Sequence, residues 1–232
     1  VNTSRPFISC IIPTLNECAT IAGCLGQFAY LPGYWELIVA DSGSTDGTAS
    51  VARTIPGVLV VEALPGRGAG MNAGAARATG DILLFLHADT RLPTGAWRLI
   101  TSALHDRCTS MTAFHLQLDR MDGFYQLVPW VSRVRVYVQR TFFGDQAIAI
   151  RRQDFLALGG FQEQLLMEDV DLSRRANALG RLKVLPARVT TSARRFERYG
   201  VIRTLAFMSG LQVAYSFGAP ATRLARWYAA IR

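Results

Sequence analysis

Lysine is all but missing from this chain: Lys183 stands alone among 25 basic residues, the others being arginine. Guanidinium forks, which meet a phosphate or carboxylate with two hydrogen bonds at once, are therefore favoured over ammonium point charges for any anionic partner. Cysteine is sparse too. Cys10, Cys18, Cys24 and Cys108 form no C-x-x-C pair and no metal-ligand cluster, which points to reduced, largely structural thiols in a cytoplasmic protein. No helix-turn-helix, zinc-finger or aromatic RNA-binding signature is present, so nucleic acid is not an expected partner. Internal repeats, low-complexity tracts and a clear linker are also lacking, and no signal-peptide pattern opens the chain.

What is present suits one large domain with an annex. Half of the 232 residues are hydrophobic, enough for a full core. Charge is uneven: residues 1–116 carry 7 basic and 8 acidic side chains, whereas 117–232 carry 18 and 9. The second half is expected to meet something anionic. Thr204 to Thr222 (TLAFMSGLQVAYSFGAPAT) has no charge over a nearly membrane-spanning length, but Ser209, Gln212, Ser216 and Pro220 make it a poor span. A packed helix is one reading. The other pairs this stretch with Arg198, Arg203, Arg223, Arg226 and Arg232 and lays residues 199–232 on an anionic membrane surface, at its inner face. A second subunit covering the same apolar face, giving a homodimer, competes with both.

Short apolar runs near 7–12, 36–40, 58–61 and 82–86 alternate with amphipathic stretches near 18–29, 46–53, 69–79 and 94–105. That rhythm predicts βα units and an α/β fold with a mainly parallel central sheet flanked by helices. The runs FISCII, LIVA and ILLFL are unbroken because such strands are buried on both faces. Beyond residue 110, MTAFHLQL and QAIAI read as further strands, 124–140 and 168–179 as helices, and 199–231 as a helical tail interrupted at Pro220. The main domain is expected over 1–198, with a ligand-binding half to about 110 and a second half over 111–198. Residues 199–232 form the helical C-terminal extension.

Ligands of such sheets gather at the carboxyl ends of the strands, and those ends carry the polar residues here. IIPTLNE follows the first strand, DSGSTDGT closes the second, GRGAGMNAG lies beyond the third, and HADT closes the fourth. Asp46 or Thr45 caps the next helix, whereas Asp41, on the strand itself, is the better ligand candidate. The glycines of GRGAGMNAG let backbone approach a ligand closely, with Arg67 beside them; a surface loop is the alternative. Asp89 either starts the helix leading from Thr94 or binds Mg²⁺ or Mn²⁺ between itself and an anionic ligand.

In the second half, MEDVDLSRR crowds Glu168, Asp169 and Asp171 at a helix start, where the dipole tolerates them. Asp169 is turned by about 100° from Glu168, so the three do not share one role. Asp145 and Gln146 in FFGDQ, and Arg194 and Arg195 in TTSARRF, are expected in loops. The two arginines are either a solvated face or the partners of a diphosphate.

In this order, PTLNE, DSGSTDGT, GMNAG, HAD and EDVDL, spread over roughly residues 7–180, resemble the family 2 glycosyltransferases of the GT-A (Rossmann-like) fold. GDQAI, TSARRF and LARWY look like a bacterial subgroup associated with radical-SAM and selenoprotein-type domains. The resemblance implies a nucleotide-diphosphate sugar donor, with a UDP-sugar favoured, a divalent metal and inversion at the anomeric carbon. By it, Pro13 and Glu17 border the nucleotide, Asp41 contacts the base, and Arg67 and Asn72 lie along the donor. Arg194 and Arg195 neutralise the leaving diphosphate. Asp89 matches the last acid of the family's Asp-x-Asp motif and binds metal, with His87 standing where the first acid belongs. Asp169 matches the general base, with Glu168, Asp145 and Gln146 on the acceptor side; the acceptor is unknown, and the basic tail with its uncharged stretch points to a lipid-linked one.

Two other readings compete. Gly68 to Ala73 fits G-x-G-x-x-A, and Asp89 follows Gly70 by 19 residues, as in an NAD(P)-binding oxidoreductase. Against this, EALPGR separates the glycines from their strand, and the fingerprint belongs on a first strand. A nucleotide-sugar-binding protein without turnover is the second, favoured by His87 in place of an acid.

Overall fold

The apolar runs pair into an eight-stranded sheet among the residues described by the computed structural model, which are 7–162, 164 and 166–229. The strands are β1 (Ile8–Thr14), β2 (Trp35–Asp41), β3 (Val58–Glu62), β4 (Ile82–Phe85), β5 (Thr90–Arg91), β6 (Thr109–Leu118), β7 (Ile148–Arg151) and β8 (Arg181–Thr191). The helices are α1 (Cys18–Gly26), α2 (Thr48–Arg53), α3 (Arg67–Arg77), α4 (Ala96–His105), α5 (Leu127–Gln139), α6 (Arg152–Ala157), α7 (Glu168–Leu179), α8 (Arg194–Tyr199), α9 (Val201–Ser216) and α10 (Ala221–Ala229).

Strand order is β3-β2-β1-β4-β7-β6-β8-β5. The first four strands are parallel, as the βα rhythm requires, and β6 and β8 are parallel as well. β7 joins these two halves antiparallel to both β4 and β6, and β5 is antiparallel to β8, so the sheet is mixed. Period-two alternation sorts each central strand between two cores. Ile8, Cys10 and Ile12 of β1, with Ile82 and Leu84 of β4, face the α1 and α4 side. Ile11, Leu83 and Phe85 face the other, against Met71 of α3 and Leu172 of α7. Burial on both faces is what makes these strands read as continuous hydrophobic runs.

Several boundaries differ from expectation. The helix expected from residue 46 starts at Thr48, because Asp46 stays outside it and accepts the Thr48 and Cys18 N–H groups. β8 gave no clear signal in the sequence: charged residues interleave its apolar positions, and Pro186 falls where the register slips from Phe114↔Leu185 to His115↔Arg188. A bulge tolerates a residue without an N–H. Arg194 and Arg195, expected in a loop, open α8 instead.

The tail breaks as expected before Pro220, with Gly218 in the left-handed region at φ 87°. Leu211 of α9 and Leu224 of α10 are buried with Phe143, Leu166, Met167 and Val170, so one face of the tail packs on the domain. Ile202, Val213, Phe217 and Trp227 stay exposed. Residues 230–232, Arg232 among them, lie outside the described set, and no helix among the described residues is long and apolar enough to cross a membrane.

Candidate active site

The chain leaves β1 toward β2 and β3, then returns to place β4 on the other side of β1, so the order reverses between β1 and β4. A crevice opens at the carboxyl ends of strands at such a reversal. Pro13 and Thr14 end β1 there, Asp41 ends β2, and the His87-Ala88-Asp89 segment follows β4. Pro13 lies past Ile11, where β1 stops pairing with β4, so no ladder bond is lost to its missing N–H.

Asp41 is buried and well satisfied: Thr14 donates its hydroxyl at 2.9 Å, and Ser44 donates both its N–H and its hydroxyl. Burial alone would raise its pKa, but the hydrogen bonds from Ser44, Thr14 and the Gly43 N–H outweigh it and hold the carboxyl below its ordinary value. Asn16, at φ 56°, ties the ends of β1 and β2 by accepting the Thr45 N–H while donating its own to the Ser44 hydroxyl.

His87 and Asp89 face different neighbours. His87 is half-buried, and its Nε2 is buried without a hydrogen-bond partner among the described residues. Burial, with Arg67, Arg195 and Arg194 nearby, pushes its pKa down to about 3, so the imidazole is neutral. Nε2 lies against Gly144: a Cβ built there would sit 2.7 Å away, which is why that position has no side chain. Asp89 does not start a helix, since α4 begins at Ala96 with Gly95 as its uncapped N-cap. Its Oδ1 accepts from Thr191 of β8 and Thr90 of β5 at 3.3 and 3.4 Å, while Oδ2 lies 3.3 Å from Arg194. Burial raises the Asp89 pKa against the pull of that arginine.

Arg194 also reaches both carboxylate oxygens of Glu17 at 2.7 Å. One guanidinium thus bridges the acid after β1 and the acid after β4 across the crevice. As to a divalent metal, no three His, Cys, Asp or Glu side chains among the described residues gather to hold one. Asp89 alone fits the mode in which Mg²⁺ or Mn²⁺ takes one carboxylate and completes its shell with phosphate oxygens and water. His87, expected beside it, is turned onto Gly144 instead.

The second half brings a buried acidic group to the same place. Met167, at φ 67°, turns the chain into α7 so that Glu168 and Asp169 point inward, 3 % and 8 % exposed. Asp169 accepts the Gly144 N–H at 2.7 Å and the Val170 N–H at 2.8 Å. Glu168 lies 3.6 Å from Arg67, and burial together with Asp169 raises its pKa. Asp145 is raised by burial and by Asp169, against Arg135, and its Oδ1 is buried without a hydrogen-bond partner among the described residues. Asp171 stands apart from this group and pairs with Arg175, which also donates to the carbonyls of Leu158 and Gly160.

Two expected site residues hydrogen-bond to backbone groups around the site. The Gln146 amide accepts the Phe143 N–H and donates to the Phe114 carbonyl, closing the turn that carries Gly144 and Asp145. The Asn72 amide binds both the N–H and the carbonyl of Phe161. Phe161 is further fixed by edge contacts with Phe85 and Phe155 at centroid distances of 4.8 and 5.5 Å, pairs that contribute about 0.5–1.5 kcal/mol each beyond their burial. These contacts anchor the segment leading into α7.

The glycine run is not a phosphate loop. It forms α3, and its glycines are where helix meets sheet: a Cβ on Gly74 would sit 2.5 Å from Ile11, and one on Gly70 3.2 Å from the Ser42 hydroxyl. The dinucleotide reading therefore loses its motif. Thr191, Gly144 and Arg135 gave no motif in the sequence, because each acts through a neighbour that only folding supplies.

A family model described as Glycosyl transferase family 2 matches residues 9–156. An uncharacterized protein of Mycobacterium tuberculosis is 33% identical over 200 residues, 74% of this chain and 62% of its own length. Glycosyltransferase AglE of Haloferax volcanii is 34% identical over 98 residues, 38% of this chain and 32% of its own. The chain thus spans less than two thirds of either relative. Among solved structures, mannosyltransferase PcManGT from Pyrobaculum calidifontis in complex with GDP-Man and Mn²⁺ aligns over 90% of this chain and 65% of its own, with a TM-score of 0.64 and 24% identity. S. aureus TarS 1–349 in complex with UDP-GlcNAc aligns over 80% and 58%, with a TM-score of 0.66 and 19% identity. At these identities the likeness is one of fold.

Proposed function

The chain belongs to the family 2 glycosyltransferases, and from that footing we propose that it moves a sugar, with inversion, from a nucleoside-diphosphate sugar to an acceptor hydroxyl. The observation that carries this is the arrangement at the strand-order reversal. Asp41 and Asp89 stand at the strand ends, Arg194 spans the crevice, and the buried Asp169 comes in from α7 through Gly144, which also walls His87.

In this reading Asp41 and Glu17 border the nucleoside, and Asp89 holds the metal that spreads charge over the diphosphate when bound. The acceptor hydroxyl attacks the anomeric carbon as the bond from that carbon to the diphosphate oxygen breaks. Asp169 takes the hydroxyl proton, and the electron pair leaves with the nucleoside diphosphate. Arg194, and Arg195 beside it, stabilise that growing negative charge electrostatically. Glu168, next to the base in the chain, pairs with Arg67 at 3.6 Å.

A thermal-shift screen of nucleoside diphosphates and their sugars, with and without Mn²⁺, tests the reading. A ligand at 100 times its Kd adds about 2.7 kcal/mol of stability, so the donor is expected to stand out. If no nucleoside diphosphate or nucleotide sugar raised Tm, the proposal would fall.

Peripheral membrane contact belongs to the same proposal. The exposed Ile202, Val213, Phe217 and Trp227 share the tail with Arg203, Arg223 and Arg226, and each basic residue near an anionic surface adds ~1 kcal/mol. The protein is expected to co-sediment with anionic vesicles at low salt and not with neutral ones. Equal recovery from both would rule it out.

A further inference from the structure

Helix α10 carries the run LARWY, Leu224 to Tyr228, whose residues divide by helical period. Leu224 is fully buried and Tyr228, one turn on, is partly buried on the same face, while Arg226 and Trp227 are exposed. The seat of that face bears on the site. Leu224 packs in the cluster that holds Phe143 and Met167. Phe143 immediately precedes Gly144 and Asp145, and Met167 immediately precedes Glu168 and Asp169. The helix is therefore fastened to both segments that deliver the buried acids.

From there Tyr228 meets two arginines. The Arg195 guanidinium lies over its ring, 5.5 Å from the centroid. Arg195 has no ion pair with a carboxylate among the described residues, in contrast to Arg194, which pairs with Glu17 and Asp89. Tyr228 also lies near Arg67: burial disfavours the charge there, Glu168 and then Tyr228 favour it, and the pKa is raised. Tyr228, Arg195, Arg194 and Glu17 line one groove of about 830 Å³. An exposed arginine that meets an anion gives up rotamer freedom, and a contact that holds it beforehand removes part of that cost. An aromatic face does this while leaving the positive charge uncompensated, whereas a carboxylate in its place would compete with the anion.

We propose that Tyr228 is a positioning residue of the active site, its ring holding the Arg195 guanidinium ready for the diphosphate, so that the C-terminal helix supplies part of the crevice. The proposal rests on the glycosyltransferase reading for the identity of the anion; the link from ring to arginine does not.

A double-mutant cycle on anion binding tests that link, since residues that act through one another are not additive. Calorimetry in Mg²⁺ measures UDP, GDP, ADP, CDP, dTDP and inorganic pyrophosphate against wild type, Y228L, Y228F, R195A and Y228L/R195A. Leucine keeps the apolar packing beside Leu224 and removes the ring, whereas phenylalanine keeps the ring. Y228L is expected to weaken binding about two- to fivefold, the range of a cation–π contact at an exposed site. Y228F is expected to bind as wild type does, and Y228L to have no further effect once Arg195 is gone. Equal affinity of Y228L and wild type would overturn the proposal. So would a loss in Y228L that persists in the R195A background, which would assign the effect to the packing of α10. A loss in Y228F equal to that in Y228L would also overturn it, by assigning the effect to the hydroxyl. The glycosyltransferase reading fails separately: if pyrophosphate shows the expected cycle and no nucleoside diphosphate binds more tightly than pyrophosphate, Tyr228 keeps its role and the nucleotide donor is lost. Binding of none of the six ligands by wild type would overturn both.

Discussion

Asp169→Asn is expected to bind nucleoside diphosphate as the wild type does and to transfer sugar about 10²–10⁴-fold more slowly, the range that a positioned general base contributes. The amide fills the same space, and its oxygen can still accept the Gly144 N–H that Asp169 accepts at 2.7 Å. What it cannot do is take a proton from the acceptor. Steady-state kcat under conditions where chemistry limits turnover, together with a separate binding titration, checks both halves. Retention of more than about a tenth of wild-type kcat would move the base elsewhere. Glu168 and Asp145 would then be the candidates, since both are buried acids in the same cluster. Asp171 is not one of them, because it is paired with Arg175, which is itself fixed by the carbonyls of Leu158 and Gly160.

Removing the carboxylate after β4 has a different signature. Asp89→Ala is expected to abolish the Mn²⁺-dependent part of nucleoside diphosphate affinity, about tenfold or more if one carboxylate anchors the ion, and to spare the part seen in chelator. The reason is the bridge at the crevice: Arg194 contacts Asp89 at 3.3 Å but Glu17 at 2.7 Å, so the arginine keeps a partner when Asp89 is gone. Calorimetry of wild type and variant, each with Mn²⁺ and with chelator, separates the two parts. An unchanged Mn²⁺ effect in the variant would take the metal away from Asp89.

Much of this site was legible because its residues stand at positions that the chain's rhythm announces. Period-two runs buried on both faces define where the strands end, and polar residues at those ends, Asp41 and Asp89, have few structural reasons to be there. The helix start at Glu168-Asp169-Asp171 was visible, and the helical period set Asp169 apart from Glu168. Only the packing of α7 shows that two of its acids turn inward while the third pairs one turn along with Arg175.

Other residues changed meaning once folded. The glycine run reads as a ligand loop because glycine serves close approach of any kind, and a sequence does not say whether the approaching body is phosphate or Ile11. Asn72 and Gln146 read as ligand contacts because amides serve ligands and backbone alike; Phe161 lies 89 residues from Asn72, and Gln146 joins Phe143, three residues away, to Phe114, 32 residues away.

By itself, then, the order of apolar and polar residues determined the α/β class, the edge of the sheet that carries the candidate site and the acids that stand on it, since those follow from periods of two and 3.6 along a local stretch. The tertiary structure alone decided that Arg194 bridges Glu17 and Asp89, that His87 is walled by Gly144, and that Arg195, Arg198 and Arg203 line one groove with Phe207. Those are contacts between residues up to 177 positions apart, and their existence depends on how β7 and β8 close the sheet, which no local pattern encodes.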